Sequence, residues 1–271
     1  MTLTLGTGPF GHFPGGSFNR EMPDTRGLIY FESSPRRMRA LFGGETVADG
    51  RHVKLLHEHG HLPVYYFPEE EIRMDLLAPT DHHTTCPWKG EASYWSVQVG
   101  DRIAENAVWS YPDPLDDAPD LDGYFALHWD KMDEWLEEDE PALGHARDPY
   151  HRVDILQTSR HVTVTLDGEV VAESNNPLAL YETGLPPRWY FTPDEVRREM
   201  LEASDTQTRC AYKGFASYWS VGGEDDVAWY YPEPTLDAQR VKDRIAFFNE
   251  RVDIEVDGEL QKRPTTQWSR R

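Results

Sequence analysis

Cysteine is almost missing from this chain, with two in 271 residues, and long apolar runs are missing altogether. Two thiols supply no disulfide framework, and no stretch approaches the ~20 apolar residues that cross a bilayer. No apolar segment follows a basic start, so the chain reads as soluble and cytoplasmic, with no membrane partner. Basic residues are also scarce, at 27 Lys and Arg against 48 Asp and Glu, a formal charge of −21. Binding along a phosphate backbone needs a Lys/Arg patch that displaces counterions, so no nucleic-acid partner is expected. The acidity itself serves solubility. Oligomeric state is left open.

What is present is a repeat. Residues 86–97 read CPWKGEASYWSV and residues 210–221 read CAYKGFASYWSV, which sets Cys86 and Cys210 124 positions apart. The same offset lays Arg36 on Arg160, Gly44 on Gly168, Glu58 on Glu182 and Tyr66 on Tyr190. The second copy then shortens by four, and Trp109 pairs with Trp229 at an offset of 120. One segment has been duplicated in tandem, and the chain is long enough for two cores of ordinary size. The expected division is a Gly-, Pro- and Phe-rich arm at 1–25, a first repeat domain at 26–143 and a second at 147–264. The arm either packs Phe10, Phe13 and Phe18 onto the first domain or is a loose end. Between the copies, the acidic run Glu137-Glu138-Asp139-Glu140 reads as a solvated linker.

Each copy opens on an alternating run, Met38, Ala40 and Phe42 in the first and Val162, Val164 and Leu166 in the second. Gly43-Gly44 and Asp167-Gly168 then supply hairpin turns. Val64–Phe67 and Arg188–Phe191 read as short strands. A helix of about ten residues is expected next, with Thr192 as N-cap, Pro193 at N1, Glu195 completing a capping box and Val196, Met200 and Leu201 as its stripe. Further strands are expected over Tyr94–Val99, Val108–Tyr111 and Tyr124–Trp129, and over their counterparts. Many short strands with frequent turns and one short helix per copy predict a mainly β protein of two tandem, homologous, small antiparallel domains.

The stretches RRMRALFGGETVAD, YYFPEEEIRMDLL, CPWKGEASYWSV and AVWSYPDP, each with a second version, resemble the bacterial domain-of-unknown-function 427 family, which also carries a nucleotidyltransferase-like label. The resemblance covers nearly all of both repeats and implies a β-tent-like unit. Some tent relatives hold zinc with two Cys-x-x-Cys pairs, and others line a pocket with tryptophans. One cysteine per repeat excludes that structural zinc, which needs four soft ligands. No cofactor is assigned. A nucleotidyltransferase needs paired carboxylates for magnesium and a phosphate cradle, and neither is visible.

The candidate binding residues recur in both copies. Lys89 and Lys213 precede a glycine amid aromatics, and a partly buried lysine needs a partner, for which Glu58 and Glu182 are the candidates. Arg36 and Arg160, Tyr66 and Tyr190, Tyr94 and Tyr218, Trp95 and Trp219, and Trp109 and Trp229 complete an expected aromatic pocket with a few convergent polar groups in each domain. That is the usual make-up of a small-ligand site. Cys86 and Cys210 fit a small buried hydrophobe or a thiolate favoured by the nearby ammonium. His57, His59 and His61 occur only in the first copy and read as an exposed loop able to chelate metal adventitiously. Three readings follow: a small-molecule binder, a structural or protein-interaction module whose signature is its core, and a Cys- or Lys-dependent enzyme of unassigned reaction.

Overall fold

The computed structural model describes residues 4, 6–11, 15–22, 24–266, 268 and 269. It divides into two compact units, 1–149 and 150–271. The first contains β1 (Ile29–Ser33), β2 (Met38–Phe42), β3 (Glu45–Gly50), β4 (Lys54–Glu58), β5 (Val64–Pro68), β6 (Leu77–Cys86), β7 (Gly90–Val99), β8 (Arg102–Ser110), β9 (Tyr124–Leu127), β10 (Glu134–Glu137) and β11 (Glu140–Pro141). The second repeats them as β12 (Val153–Gln157), β13 (Val162–Leu166), β14 (Glu169–Ser174), β15 (Leu178–Glu182), β16 (Arg188–Phe191), β17 (Leu201–Cys210), β18 (Gly214–Val221), β19 (Glu224–Tyr230), β20 (Ile245–Phe247), β21 (Asp253–Val256) and β22 (Glu259–Leu260).

The first unit has a seven-stranded sheet in the order β1-β4-β5-β9-β8-β7-β6 and a four-stranded sheet in the order β11-β10-β2-β3. In the second unit the large sheet runs β12-β15-β16-β20-β19-β18-β17 and the small one β14-β13-β21-β22. The strand pairs are antiparallel throughout. The chain is mainly β, with two similar halves, as its patterning predicts. Alternation puts Met38, Ala40 and Phe42 into a core shared with Val47, Phe67, Val97 and Trp135. Val162, Val164 and Leu166 do the same beside Phe191 and Ile254. The hairpin after β13 turns on Asp167 and Gly168 at φ of 50° and 84°, the left-handed pair its sequence calls for.

The expected ten-residue helix is instead two single 3₁₀ turns, Pro193–Glu195 and Arg198–Met200. The capping box forms, with Thr192 N–H donating to the Glu195 carboxylate at 2.8 Å. Val196 then turns extended (φ −117°, ψ 138°), bridges Ala172 and enters the core. A β-branched side chain buried by one extended step ends the helix there. Ile72 and Ala48 repeat this in the first unit.

Other expectations change as well. β6 and β17 were hidden, because LAPTDHHTTC and its twin are polar edge strands without an apolar face. The acidic run is no linker: Glu137 ends β10, Glu138 turns at φ 53° and Glu140 starts β11. Asp139 faces outward on Arg39, while the Glu137 side chain is largely covered where it meets Arg36. In the arm, Phe10 and Phe18 stack at 6.2 Å, and the Phe10 carbonyl accepts a hydrogen bond from His59 Nδ1 at 2.8 Å. Phe13 lies outside the described residues.

Candidate functional site

The Cys-x-x-Lys-Gly signature is the tip of the hairpin between β6 and β7, and of its twin between β17 and β18, with Cys86 opposite Gly90 and Cys210 opposite Gly214. Both glycines sit at positive φ, 102° and 96°. A Cβ on Gly90 would lie 3.2 Å from the Asp113 carbonyl oxygen, and one on Gly214 3.1 Å from that of Glu233. Left-handed backbone and a crossing chain therefore both call for glycine. That crossing chain, the Pro-x-Pro segment, is tied down where the N–H groups of Leu115 and Thr235 donate to the carbonyls of Lys89 and Lys213, each at 3.2 Å.

With the tip fixed, each lysine points inward. Lys89 and Lys213 are buried and donate to Glu58 and Glu182, the partners their offset suggested. The Lys89 ammonium also lies 5.8 Å from the Tyr111 ring centre. In the second unit the carboxylate takes another donor, His151 Nε2 at 3.0 Å, whose ring stacks on Tyr212 at 3.8 Å. Burial pushes the Glu182 carboxyl up, but Lys213 and His151 outweigh it and hold it down at about 2. Burial lowers the His151 pKa despite Glu182, so the imidazole donates as a neutral ring. The first unit has no such histidine. Gly27 stands at the equivalent position, so close beneath Trp88 that a Cβ would fall 2.6 Å from the indole. Nothing in the repeat points to His151, because the offset pairs it with a glycine.

The histidine stretch is not an exposed loop. His57 is 1 % exposed on β4, with Nε2 2.9 Å from Glu32 and Nδ1 3.5 Å from Asp148. Burial lowers its pKa, yet the two carboxylates outweigh that and raise it. His59 is also buried and bonded to the arm, and His61 is exposed. Among the described residues, no group of three or more His, Cys, Asp or Glu side chains gathers as a metal site.

The remaining aromatic candidates divide between the two faces of the large sheet. Trp95 and Trp219 face the inter-sheet core, against Phe125 at 5.1 Å and Tyr230 at 5.6 Å. Arg36 and Arg160 lie at the small sheet, on Glu137 and, at 3.6 Å, on Asp257. The structure thus separates both pairs from the lysines. Alternation explains it, since Tyr94 and Trp95 are neighbours on one strand and must point to opposite faces.

On the outer face stand Tyr66, Tyr94, Trp109, Tyr111 and the half-buried free Cys86, with Tyr190, Tyr218, Trp229 and Tyr231 in the second unit. Burial pushes the Tyr66 and Tyr190 phenols well up, and each hydroxyl accepts the indole N–H of Trp109 (3.3 Å) or Trp229 (3.0 Å). Tyr94 stacks with His128 at 6.4 Å, and Tyr218 with Phe248 at 6.4 Å. Trp109 meets His128 at 4.5 Å, and Trp229 meets Phe248 at 4.5 Å.

The two faces are covered differently. In the second unit Arg188, Trp268, Thr266 and Glu250 lie over the cluster, and Trp229 is 7 % exposed. In the first, Trp109 is half-buried and His82 stands at the edge, 4.6 Å from Tyr94; Tyr94 and His128 are half-buried like their twins Tyr218 and Phe248. His82 also lines a surface groove of about 410 Å³ with Thr80, Ser96 and Gln98. A second groove, of about 440 Å³, shares Ile103 and Asn106 with it and runs to Lys131. Neither Lys89 nor Lys213 lines these grooves.

Fold and site together define a tandem β protein whose repeated signature locks a hairpin tip through a buried lysine–glutamate pair. The chain belongs to the domain of unknown function family DUF427, whose profile matches residues 30–138 and 154–258. A search of curated proteins finds no match. No helix among the described residues is long and apolar enough to cross a membrane.

Proposed function

We propose that the first unit binds a small molecule on the outer aromatic face formed by Tyr94, Trp109 and His128, and that the second unit is a closed copy of it. One observation carries the reading: within the same ring geometry Trp109 is half-buried in the first unit, whereas its twin Trp229 is buried beneath Arg188 in the second. Half-buried aromatics joined through His82 to a groove with a few polar groups suit a small ligand. The lysine signature then serves as framework rather than as ligand contact, because each ammonium is spent on a glutamate.

A compound library screened on ¹⁵N-indole-labelled protein tests this. A bound compound is expected to move the Trp109 indole resonance and leave that of Trp229 in place. Compounds that bind only elsewhere would sink the proposal. The second reading, a module that uses this face for another protein, rests on the same exposure and predicts that no small compound saturates it.

A further inference from the structure

The second unit shows what its own aromatic face accepts. Arg188 is 4 % exposed, and its guanidinium carbon lies 5.5, 5.8 and 5.6 Å from the ring centres of Trp229, Phe248 and Trp268. Glu250 grips the same group in a fork at 2.7 and 2.8 Å, and Asn249 accepts a third hydrogen bond at 3.0 Å. A flat cation between rings, with a carboxylate at its edge, is the arrangement that suits guanidinium.

In the first unit the spacings of the Tyr and Trp rings to the facing ring are kept, the guanidinium is gone, and Trp129 stands where Asn249 does. Val64 stands where Arg188 does, His128 where Phe248 does, and Asp130 where Glu250 does. Val64 is half-buried, so a long charged side chain has become a short apolar one. His128 is a half-buried flat ring whose pKa burial first and the Lys131 ammonium second push down, with the exposed Asp130 carboxylate acting the other way. The Lys131 ammonium is occupied, donating to the carbonyls of Glu105 and Asn106 at 2.6 and 3.1 Å. Lys54 is spent on the Phe31 and Tyr124 rings at 4.9 and 5.1 Å, and Lys89 on Glu58.

We infer that the ligand of the first unit is a small guanidinium compound, seated against Trp109 and His128 with its charge toward Asp130. The inference rests on the binding reading above and adds the ligand's chemistry.

The test is an indole-resonance titration of the full chain with agmatine, with putrescine as the matched amine lacking a guanidinium, at fixed ionic strength. Agmatine is expected to shift Trp109 saturably and putrescine about tenfold more weakly. Asp130→Asn, at an exposed position, should weaken agmatine threefold to tenfold. Val64→Arg should abolish the shift by supplying the group internally, with the unfolding midpoint checked to show that the variant folds. Equal response to putrescine, or full agmatine affinity in Asp130→Asn, would overturn the inference. So would tighter binding of an arginine-containing peptide than of any free guanidinium compound. If agmatine fails but an uncharged aromatic compound moves Trp109, the ligand class is wrong and the binding reading survives; if nothing moves Trp109, both fall.

Discussion

Two copies of one hairpin lock differ in how completely each is sealed. In the second unit, Glu182 has a lysine and a histidine on its two oxygens, and its side chain is 6 % exposed. In the first, Glu58 has Lys89, and its side chain is 15 % exposed. Water can partly compensate Glu58 if its lysine is lost, but far less so Glu182. The lesson concerns duplication: the framework contact is kept in both copies, and the surroundings set how much depends on it.

The largest expected effect tests that difference directly. Lys213→Met should cost about 3–5 kcal/mol, because it leaves a buried carboxylate without its cation and with the His151 hydrogen bond alone, and Lys89→Met should cost clearly less. Urea unfolding followed at reporters within each unit measures both, and equal costs would end the contrast. Acid sharpens it next. The folded Glu182 carboxyl titrates at about 2, below its ordinary 4.5, so the unfolded chain takes up the proton first as pH falls. Its contribution, about 3 kcal/mol, is complete above pH 4.5 and lost on descent toward 2. A carboxyl-carbon NMR titration in which Glu182 protonates near 4.5 would contradict this.

Gly90→Ala and Gly214→Ala should each cost about 1–3 kcal/mol, from left-handed backbone and the facing carbonyl. Here the two units should agree, since φ and clearance nearly match. Smallest are Tyr66→Phe and Tyr190→Phe, each removing one acceptor for an indole N–H at about 1 kcal/mol in a thermal melt. The second should cost slightly more, since Trp229 is the more buried donor.

The sequence disclosed what the offset could disclose. Glu58 with Lys89 and Glu182 with Lys213 were legible because both members recur, as was the alternation of β2 and β13. Trp95 and Trp109 were expected in one pocket because both recur, but Tyr94 is the residue that stands opposite Trp109 and shares its face. β6 stayed hidden because an edge strand needs no apolar pattern. His151 and Arg188 escaped because a repeat-based reading discards positions where the copies disagree. Arg188 had left one signal, a charge at the head of an otherwise aromatic strand, RWYF.

The strand order carries a consequence for how the chain reaches this state. β9 lies between β5 and β8, so two bare edges must wait for a segment made more than 50 residues after β5 ends. Closure of that kind is slow, and meanwhile both edges are open to any strand of the right pattern. The large sheet of the second unit carries the same requirement, since β20 is made after both of its neighbours, β16 and β19, and closes it last.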